Sequence, residues 1–209
     1  AYHAAGLRIV QLCYNRKNLV GDGAAERTDG GLSYFGVALI ERLNALGMIV
    51  DCAHTGHRTS MEAVEVSQAP VIISHANARA VYDSRRNIED DLIRAVATSG
   101  GVVGTVGFPS FLTAKGQPSL DQFIDDMAYK ADLVGIDHVG IGIDYYLGQH
   151  GVESDADARV RYDRMIADGH WREAEYPAPP YMYPKGIETP QTLRNLTARL
   201  LERGFAEDD

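Results

Sequence analysis

The sequence has 209 residues, of which 45% are hydrophobic, and this is enough for one sizeable core or for part of a larger one. The formal net charge is −9 and no basic stripe is present, which argues against a nucleic acid as the partner. Because no run of 18 or more apolar residues occurs, the sequence contains no predicted transmembrane helix.

Strand and helix signals alternate along most of the chain. Five apolar runs of strand length are separated by stretches in which apolar residues recur at helical spacing. The predicted strands cover residues 7–14, 48–54, 70–75, 102–108 and 138–144. The predicted helices cover about residues 32–46, 59–67, 88–98, 120–134 and 190–203. This alternation predicts an α/β protein.

Four of the helix starts are predicted from residues that can cap a helix. In a capping box, two side chains three residues apart satisfy backbone N–H groups that the first turn leaves free. The predicted capping boxes are Thr59–Glu62 and Ser119–Gln122, and the predicted single N-caps are Asn87 and Thr189, the latter followed by Pro190.

Residues 145–188 show no clear periodicity and are predicted to form an irregular insertion or lid. The segment is rich in tyrosine and proline and contains Trp171. Disordered segments are poor in aromatic residues, so this composition favours a packed segment.

Five β/α units fit either an open doubly wound sheet or part of a (β/α)8 barrel of the TIM type. The phosphate loops of many doubly wound nucleotide folds are absent, since no Gly-x-Gly-x-x-Gly follows a strand and no Gly-Lys-Ser/Thr occurs. A barrel rim also explains polar residues at the ends of several strands. Five strands cannot close an eight-stranded barrel, so residues 1–209 are predicted to form one partial barrel domain.

Three of the predicted strands end in a residue that can bind or serve a metal ion, namely His54, His75 and Asp144. The two histidines are 21 residues apart, which puts both at the carboxyl ends of neighbouring parallel strands, where such folds place their chemistry. A single histidine at a strand end is more often structural than a ligand. A carboxylate after an apolar run, however, is costly to bury without a partner. Together the three residues predict a metal-dependent hydrolase.

The two cysteines, Cys13 and Cys52, lie in apolar runs without the spacing of a metal site. We expect them to be reduced thiols in the core.

Four segments resemble, in order, the renal (membrane) dipeptidase family of zinc peptidases, within the amidohydrolase-type barrels. These segments are residues 51–55, 71–78, 84–88 and 137–144. The resemblance implies a (β/α)8 barrel, of which this chain would supply strands four to eight. It also implies an enzyme with two zinc ions that cleaves dipeptides, often those with a D-residue at the carboxyl side, through a metal-bridging hydroxide.

The resemblance further implies roles for individual residues. His54 and His75 would bind the second zinc, and Asp144 would handle the proton of the bridging water. Arg86 would bind the carboxylate of the substrate, a dipeptide or small amide. Tyr14 occupies a position at which mammalian members carry a substrate-contacting histidine, and it is therefore a candidate substrate-binding residue.

Two features of the family are missing. Its first zinc needs a His-x-Asp pair and its two ions share a glutamate, but none of the seven histidines here is followed two places later by aspartate. We therefore expect this chain to be the later portion of a longer protein. Another barrel amidohydrolase stays open as an alternative, as does a catalytically silent relative used for binding or assembly.

The sequence leaves several properties unassigned. These are the side chains and stereochemistry of the substrate, the native metal, the oligomeric state (a homo-oligomer included) and the compartment, for which the cytoplasm is the favoured expectation.

Overall fold

The computed structural model describes residues 1–145, 151–173 and 175–209. Within these ranges the chain forms five strands and six α-helices. In chain order they are β1 (Ile9–Gln11), α1 (Tyr34–Ala45), β2 (Ile49–Asp51), α2 (His57–Val66), β3 (Val71–Ile72), α3 (Asp90–Thr98), β4 (Val103–Thr105), α4 (Leu120–Val134), β5 (Val139–Ile141), α5 (Asp155–Ala167) and α6 (Arg194–Glu202). None of the helices in the described ranges is long and apolar enough to cross a membrane.

The strands are parallel and lie side by side in chain order. β2 pairs with β1 and β3, and β5 pairs with β4. A parallel bridge between Ile73 and Val103 connects the two groups, and the Ile73 N–H donates to the carbonyl of Val102 at 3.0 Å. The carboxyl ends of all five strands therefore lie along the same edge of the sheet. The predicted α/β class is confirmed, whereas the described residues do not form a closed barrel.

The main core lies between the strands and the first helices. Buried apolar side chains from β2, β3, β4 and the residues directly after β1 pack against α1, α2 and α3, with residues of α4 at the border of the cluster. The fully buried members include Ile40, Val50, Ala63, Val71, Ile73, Leu92, Ile93 and Val96. These residues have the periodicity on which the predicted strands and helices were based.

Two glycines, one in β4 and one just beyond β5, allow the backbone at these positions to pass close to the chain that follows β3. A Cβ atom on Gly104 would lie 2.2 Å from the carbonyl oxygen of Ser74, and one on Gly142 would lie 2.0 Å from the same atom. Such distances exclude any side chain at either position. Gly104 in β4 and Gly142 just beyond β5 therefore serve close packing.

A buried ion pair on α4 holds the backbone that follows β3. Asp126 and Lys130 are both 0% exposed, and their charged atoms are 2.7 Å apart. Asp126 accepts hydrogen bonds from the N–H of Ala78 at 2.6 Å and from the hydroxyl of Thr105 at 3.1 Å. Lys130 donates to the carbonyl of Ala76 at 3.2 Å. The pair thus ties α4 to the chain beyond the third strand.

One of the two predicted capping boxes is confirmed. Ser119 accepts from the N–H of Gln122 at 3.1 Å, and the Gln122 side chain accepts from the N–H of Ser119 at 2.8 Å. The Thr59–Glu62 box is wrong, because α2 begins two residues earlier, at His57. Thr59 instead donates its hydroxyl to Asp29 at 2.7 Å, so a tertiary contact replaces the local one.

The two single N-caps are also wrong. Helix α3 begins at Asp90, and the side chain of Asn87 donates instead to backbone carbonyls of Tyr82 and Phe111 at 2.8 and 2.9 Å. The last helix, α6, begins at Arg194, since the residues after Thr189 form turns in which Thr189 bonds with Thr192. In both places the predicted residue makes hydrogen bonds other than those of an N-cap.

The prediction that residues 145–188 are irregular is wrong for Asp155–Ala167, which form α5. Ser154 caps this helix by accepting from the N–H of Asp157, and acidic residues in the first turn favour the positive end of its dipole. Only Ala158 and Tyr162 of the helix are buried, too few to produce an apolar periodicity. Residues 146–150 and Ala174 lie outside the described residues.

Candidate metal centre

The two histidines at the ends of neighbouring strands meet in space. His54 and His75 each lie three residues beyond the end of their strand, and their ring centroids are 4.8 Å apart with an interplanar angle of 65°. His54 is 6% exposed. The structure therefore brings together the two imidazoles that the sequence predicts as metal ligands.

The orientation of His54 depends on Asn15. Nδ1 of His54 donates to Oδ1 of Asn15 at 2.8 Å, while the amide nitrogen of Asn15 donates to the hydroxyl of Tyr176 at 3.0 Å. Asn15 is fully buried. A histidine whose Nδ1 carries the proton presents the lone pair of Nε2 to a metal ion.

His75 is held by a hydrogen-bonded chain. Ser74 donates its hydroxyl to Oδ2 of Asp51 at 2.6 Å, so its oxygen is free to accept from Nδ1 of His75 at 2.8 Å. Oδ1 of Asp51 also accepts from the N–H groups of Ala53 and Ser74, each at 2.9 Å. Nε2 of His75 is buried without a hydrogen-bond partner among the described residues. A buried nitrogen of this kind fits a metal ligand.

The surroundings favour neutral imidazoles. Burial lowers the pKa of His54 well below its ordinary value, and the charge of Arg86 lowers it further. Burial also lowers the pKa of His75, although the nearby carboxylate of Asp144 opposes this shift. Both rings are therefore neutral at pH 7, and the neutral ring is the form that binds a metal ion.

The two histidines would form only part of a ligand set. In the part of the chain that the structure describes, no group of three or more histidine, cysteine, aspartate or glutamate side chains could hold a metal ion. Imidazole nitrogen is a common ligand of zinc, which takes three protein ligands in catalytic sites and four in structural ones. The residues present thus fit zinc, with further ligands still required.

Asp144 lies on the same edge, three residues beyond β5. It lines an open cavity of about 360 Å³ together with Ser74 and His75. Its backbone has a φ of 69°, and its carbonyl accepts from the hydroxyl of Tyr183 at 2.6 Å. A carboxylate beside a buried imidazole can accept a proton from a reacting group.

Arg86 places a buried positive charge next to His54. It is 5% exposed, and its guanidinium lies over the ring of Phe111, 5.3 Å from the centroid. Its Nε and Nη2 atoms are buried and have no hydrogen-bond partner in the described ranges. Arg86 and His54 line a cavity of about 420 Å³. A planar guanidinium with two free N–H groups suits a carboxylate, which it binds with two parallel hydrogen bonds.

The neighbouring Arg85 makes structural contacts. It is exposed, its guanidinium donates to the carbonyl of Ala24 at 3.3 Å, and it forms an ion pair with Glu175 at 3.6 Å. Arg85 therefore connects surface segments.

Tyr14 stacks on the ring of His54, with centroids 4.2 Å apart and an interplanar angle of 21°. Its hydroxyl accepts from Nε1 of Trp171 at 3.2 Å. The ring of His170 meets Tyr14 edge-on at 6.0 Å. The five predicted site residues thus lie in one neighbourhood.

Several residues of this site escaped the sequence analysis. Asp51 and Ser74 carried a weak signal, since each is a polar residue in a run that otherwise reads as buried. Asn15, His170 and Tyr176 carried none, because only the fold brings them together. Two other histidines have different partners: His57 pairs with Asp91 at 3.3 Å, and His138 hydrogen-bonds to Gly101 at 2.8 Å.

Comparison with known proteins connects the chain with a peptidase family. The family model for membrane dipeptidase (peptidase family M19) matches residues 1–175. "Dipeptidase aclJ" of Aspergillus oryzae is 30% identical over 212 residues, covering 100% of this chain and 43% of the relative. An uncharacterized dipeptidase of Schizosaccharomyces pombe is 35% identical over 150 residues, covering 69% of this chain and 36% of the relative. The chain spans less than half the length of both proteins.

Solved structures agree with this connection. An amidohydrolase from Pseudomonas aeruginosa superposes with a TM-score of 0.86 at 34% identity, covering 99% of this chain and 61% of that one. A metallo peptidase from Rhodobacter sphaeroides, liganded with a phosphinate mimic of the dipeptide L-Ala-D-Ala, gives a TM-score of 0.76 at 25% identity. That match covers 99% of this chain and 52% of the other.

Proposed function

This chain belongs to the membrane dipeptidase family, peptidase family M19, and from that premise we propose that the complete protein is a zinc-dependent enzyme that hydrolyses dipeptides. One observation carries the proposal. His54 and His75 lie with their rings 4.8 Å apart, and the buried Nε2 of His75 has no hydrogen-bond partner among the described residues. Two oriented, neutral imidazoles at the ends of parallel strands suit metal-assisted hydrolysis.

Each site residue then has a task. His54 and His75 would hold one ion through Nε2, and Asn15 and Asp51 keep the two rings in the required tautomer, Asp51 through its contact with Ser74. Zinc, when bound, supplies a Lewis acid that polarises the scissile carbonyl and activates water at neutral pH. Asp144 takes a proton from the attacking water and delivers it to the leaving amine.

The substrate class follows from Arg86 and Tyr14. The guanidinium of Arg86 binds the free carboxylate of a dipeptide, which explains why a charged group is buried beside the cavity of about 420 Å³. The ring of Tyr14 covers His54 and contacts the bound peptide. The dipeptide mimic in the Rhodobacter sphaeroides relative supports L-Ala-D-Ala as a first substrate to test, and with it a D-residue at the carboxyl side.

We further propose that the strands belong to a (β/α)8 barrel whose other strands and metal ligands lie outside this chain. Parallel strands in unbroken chain order are typical of a barrel, whereas a doubly wound sheet reverses its order at a switch point. On this proposal residues 1–209 are one partial barrel domain, and the described parts of the segment 145–188 cover the rim as a lid.

The proposal is tested by the zinc content of histidine variants of the complete protein. His54→Asn and His75→Asn should each lose about one zinc ion per subunit by elemental analysis and nearly all dipeptidase activity. Asparagine is chosen because it tolerates the left-handed backbone of His54, whose φ is 61°.

The matched control is His57→Asn. His57 is a half-exposed histidine that pairs with Asp91, so its replacement should leave the zinc content unchanged. Normal zinc content in both site variants would contradict the proposal.

A further inference from the structure

Two aromatic residues from the segment after α5 reach the site. Trp171 and Tyr176 stack with ring centroids 4.5 Å apart and an interplanar angle of 3°, and both are buried in an aromatic cluster with Phe108 and Phe111. The polar atoms of both side chains form hydrogen bonds with residues that follow β1. Trp171 donates to the hydroxyl of Tyr14, and the hydroxyl of Tyr176 meets Asn15.

The hydroxyl of Tyr176 lies near both Asn15 and Arg86. It accepts from the amide nitrogen of Asn15 at 3.0 Å and lies 3.3 Å from Oδ1 of the same amide, to which it can donate. The ring of Phe111 contacts both neighbours, since it lies 5.9 Å from the ring of Tyr176 and 5.3 Å from Cζ of Arg86. Burial raises the pKa of Tyr176, and the charge of Arg86 opposes this rise. The tyrosine therefore stays protonated at neutral pH. It lies near Asn15, which orients a proposed metal ligand, and near Arg86, which is proposed to bind the substrate carboxylate.

The orientation of the Asn15 amide decides which nitrogen of His54 is free. With Oδ1 toward His54, Nδ1 is the donor and Nε2 keeps its lone pair. A flipped amide would present a donor to Nδ1, and the proton would then reside on Nε2, where it blocks metal binding. The carbonyl of His170, which can only accept, lies 3.5 Å from the amide nitrogen and favours the orientation with Oδ1 toward His54. The hydroxyl of Tyr176, which can donate and accept, holds the amide group in place.

We propose that Tyr176 is a positioning residue of the metal centre, which holds the Asn15 amide against Nδ1 of His54 and also faces Arg86. This inference rests on the proposed function, and it makes the segment after α5 part of the site. Outer hydrogen-bond partners of metal ligands typically change metal affinity or activity by about 10- to 100-fold when they are removed.

The test uses Tyr176→Phe in the complete protein, which keeps the ring in the cluster and removes only the hydroxyl. Zinc affinity is measured by competition with a chelator, and kcat and KM are measured with L-Ala-D-Ala. We expect a loss of about 10-fold in zinc affinity. Because Tyr176 also faces Arg86, we expect KM at saturating zinc to rise.

Tyr181→Phe is the matched control. Tyr181 belongs to the same buried cluster, but its hydroxyl donates to the carbonyl of Pro177 at 2.7 Å, within its own segment. This variant loses one hydrogen bond and should keep the wild-type zinc affinity and KM. Melting temperatures of both variants report any general loss of packing.

A double variant separates positioning from a structural effect. If Tyr176 acts through Asn15, adding Tyr176→Phe to Asn15→Gly should change zinc affinity by less than about threefold, because the effects of coupled residues are not additive. Glycine is used since the φ of Asn15 is 61°. The same 10-fold loss in both backgrounds, or wild-type zinc affinity in Tyr176→Phe, overturns the inference. Wild-type protein that binds zinc but cleaves no dipeptide overturns only the proposed function, since zinc affinity still tests Tyr176.

Discussion

At the scale of single residues, unusual backbone conformations gather at the site. Within the described ranges the non-glycine residues with positive φ are Asn15, His54 and Asp144, at 61°, 61° and 69°. The left-handed region costs most side chains about 1–2 kcal/mol per residue, although asparagine, aspartate and histidine occupy it more readily than others. Such conformations persist only where the surrounding structure imposes them, and they cluster at functional sites.

Asp144→Asn isolates the charge of the carboxylate. Asparagine has a similar shape and also tolerates the backbone at this position, so the variant should fold normally. Without a proton acceptor, kcat for L-Ala-D-Ala should fall by about 10²–10⁴-fold while zinc content changes little. Steady-state kinetics and elemental analysis on the same preparation check this. Near-normal turnover would rule out Asp144 as the general base.

At the scale of secondary-structure elements, α4 holds the backbone that follows β3, next to the candidate site. In the buried pair, Asp126 accepts from the N–H of Ala78 and Lys130 donates to the carbonyl of Ala76, both within three residues after His75. Burial lowers the pKa of Lys130, and the contact with Asp126 opposes this shift. A buried pair of this kind adds little net stability, but each charge requires the other.

Lys130→Met should therefore be strongly destabilising, because it leaves Asp126 charged, buried and without a counter-ion. We expect a loss of about 3–5 kcal/mol in the free energy of unfolding, measured by urea denaturation of the metal-free complete protein. The double variant Asp126→Asn/Lys130→Met removes both charges and keeps an acceptor for Ala78, so it should recover much of that loss. A double variant as unstable as the single one would contradict this account.

At the scale of the whole molecule, both edges of the sheet are open in the described residues. Leu7 and Ile9 beside and within β1 are 44% and 46% exposed, and Ile141 in β5 is 53% exposed. An apolar cavity of about 630 Å³ lies next to β5, lined by Val139, Leu200 and other residues. Unpaired edges with apolar side chains favour association with further strands.

Residues 1–209 expressed alone should therefore be inactive and prone to self-association. The chain offers His54 and His75 but no group of three metal-ligating side chains among its described residues. Size-exclusion chromatography and a zinc-supplemented assay with L-Ala-D-Ala check both expectations against the complete protein. Zinc-dependent hydrolysis by the purified 209-residue chain would show that the missing ligands are not needed.

The sequence alone determined the order and type of most elements. Apolar runs and helical spacing predicted all five strands and the helices outside the segment 145–188, because these periodicities reflect which face of an element is buried. The ends of the strands also predicted that His54, His75 and Asp144 share one edge. The Ser119–Gln122 box was predictable because all its atoms lie within one helical turn.

Only the tertiary structure decided which groups complete and orient the site. Thr59 and Asn87 looked like local caps, but Asp29 and the backbone of Tyr82 and Phe111 receive their hydrogen bonds. The contact of Asn15 with Tyr176 spans 161 positions of the chain. No periodicity or spacing encodes such a contact, because it depends on how separate elements pack. Local sequence thus specified where the two histidines lie, and long-range packing specified which nitrogen of His54 is left free.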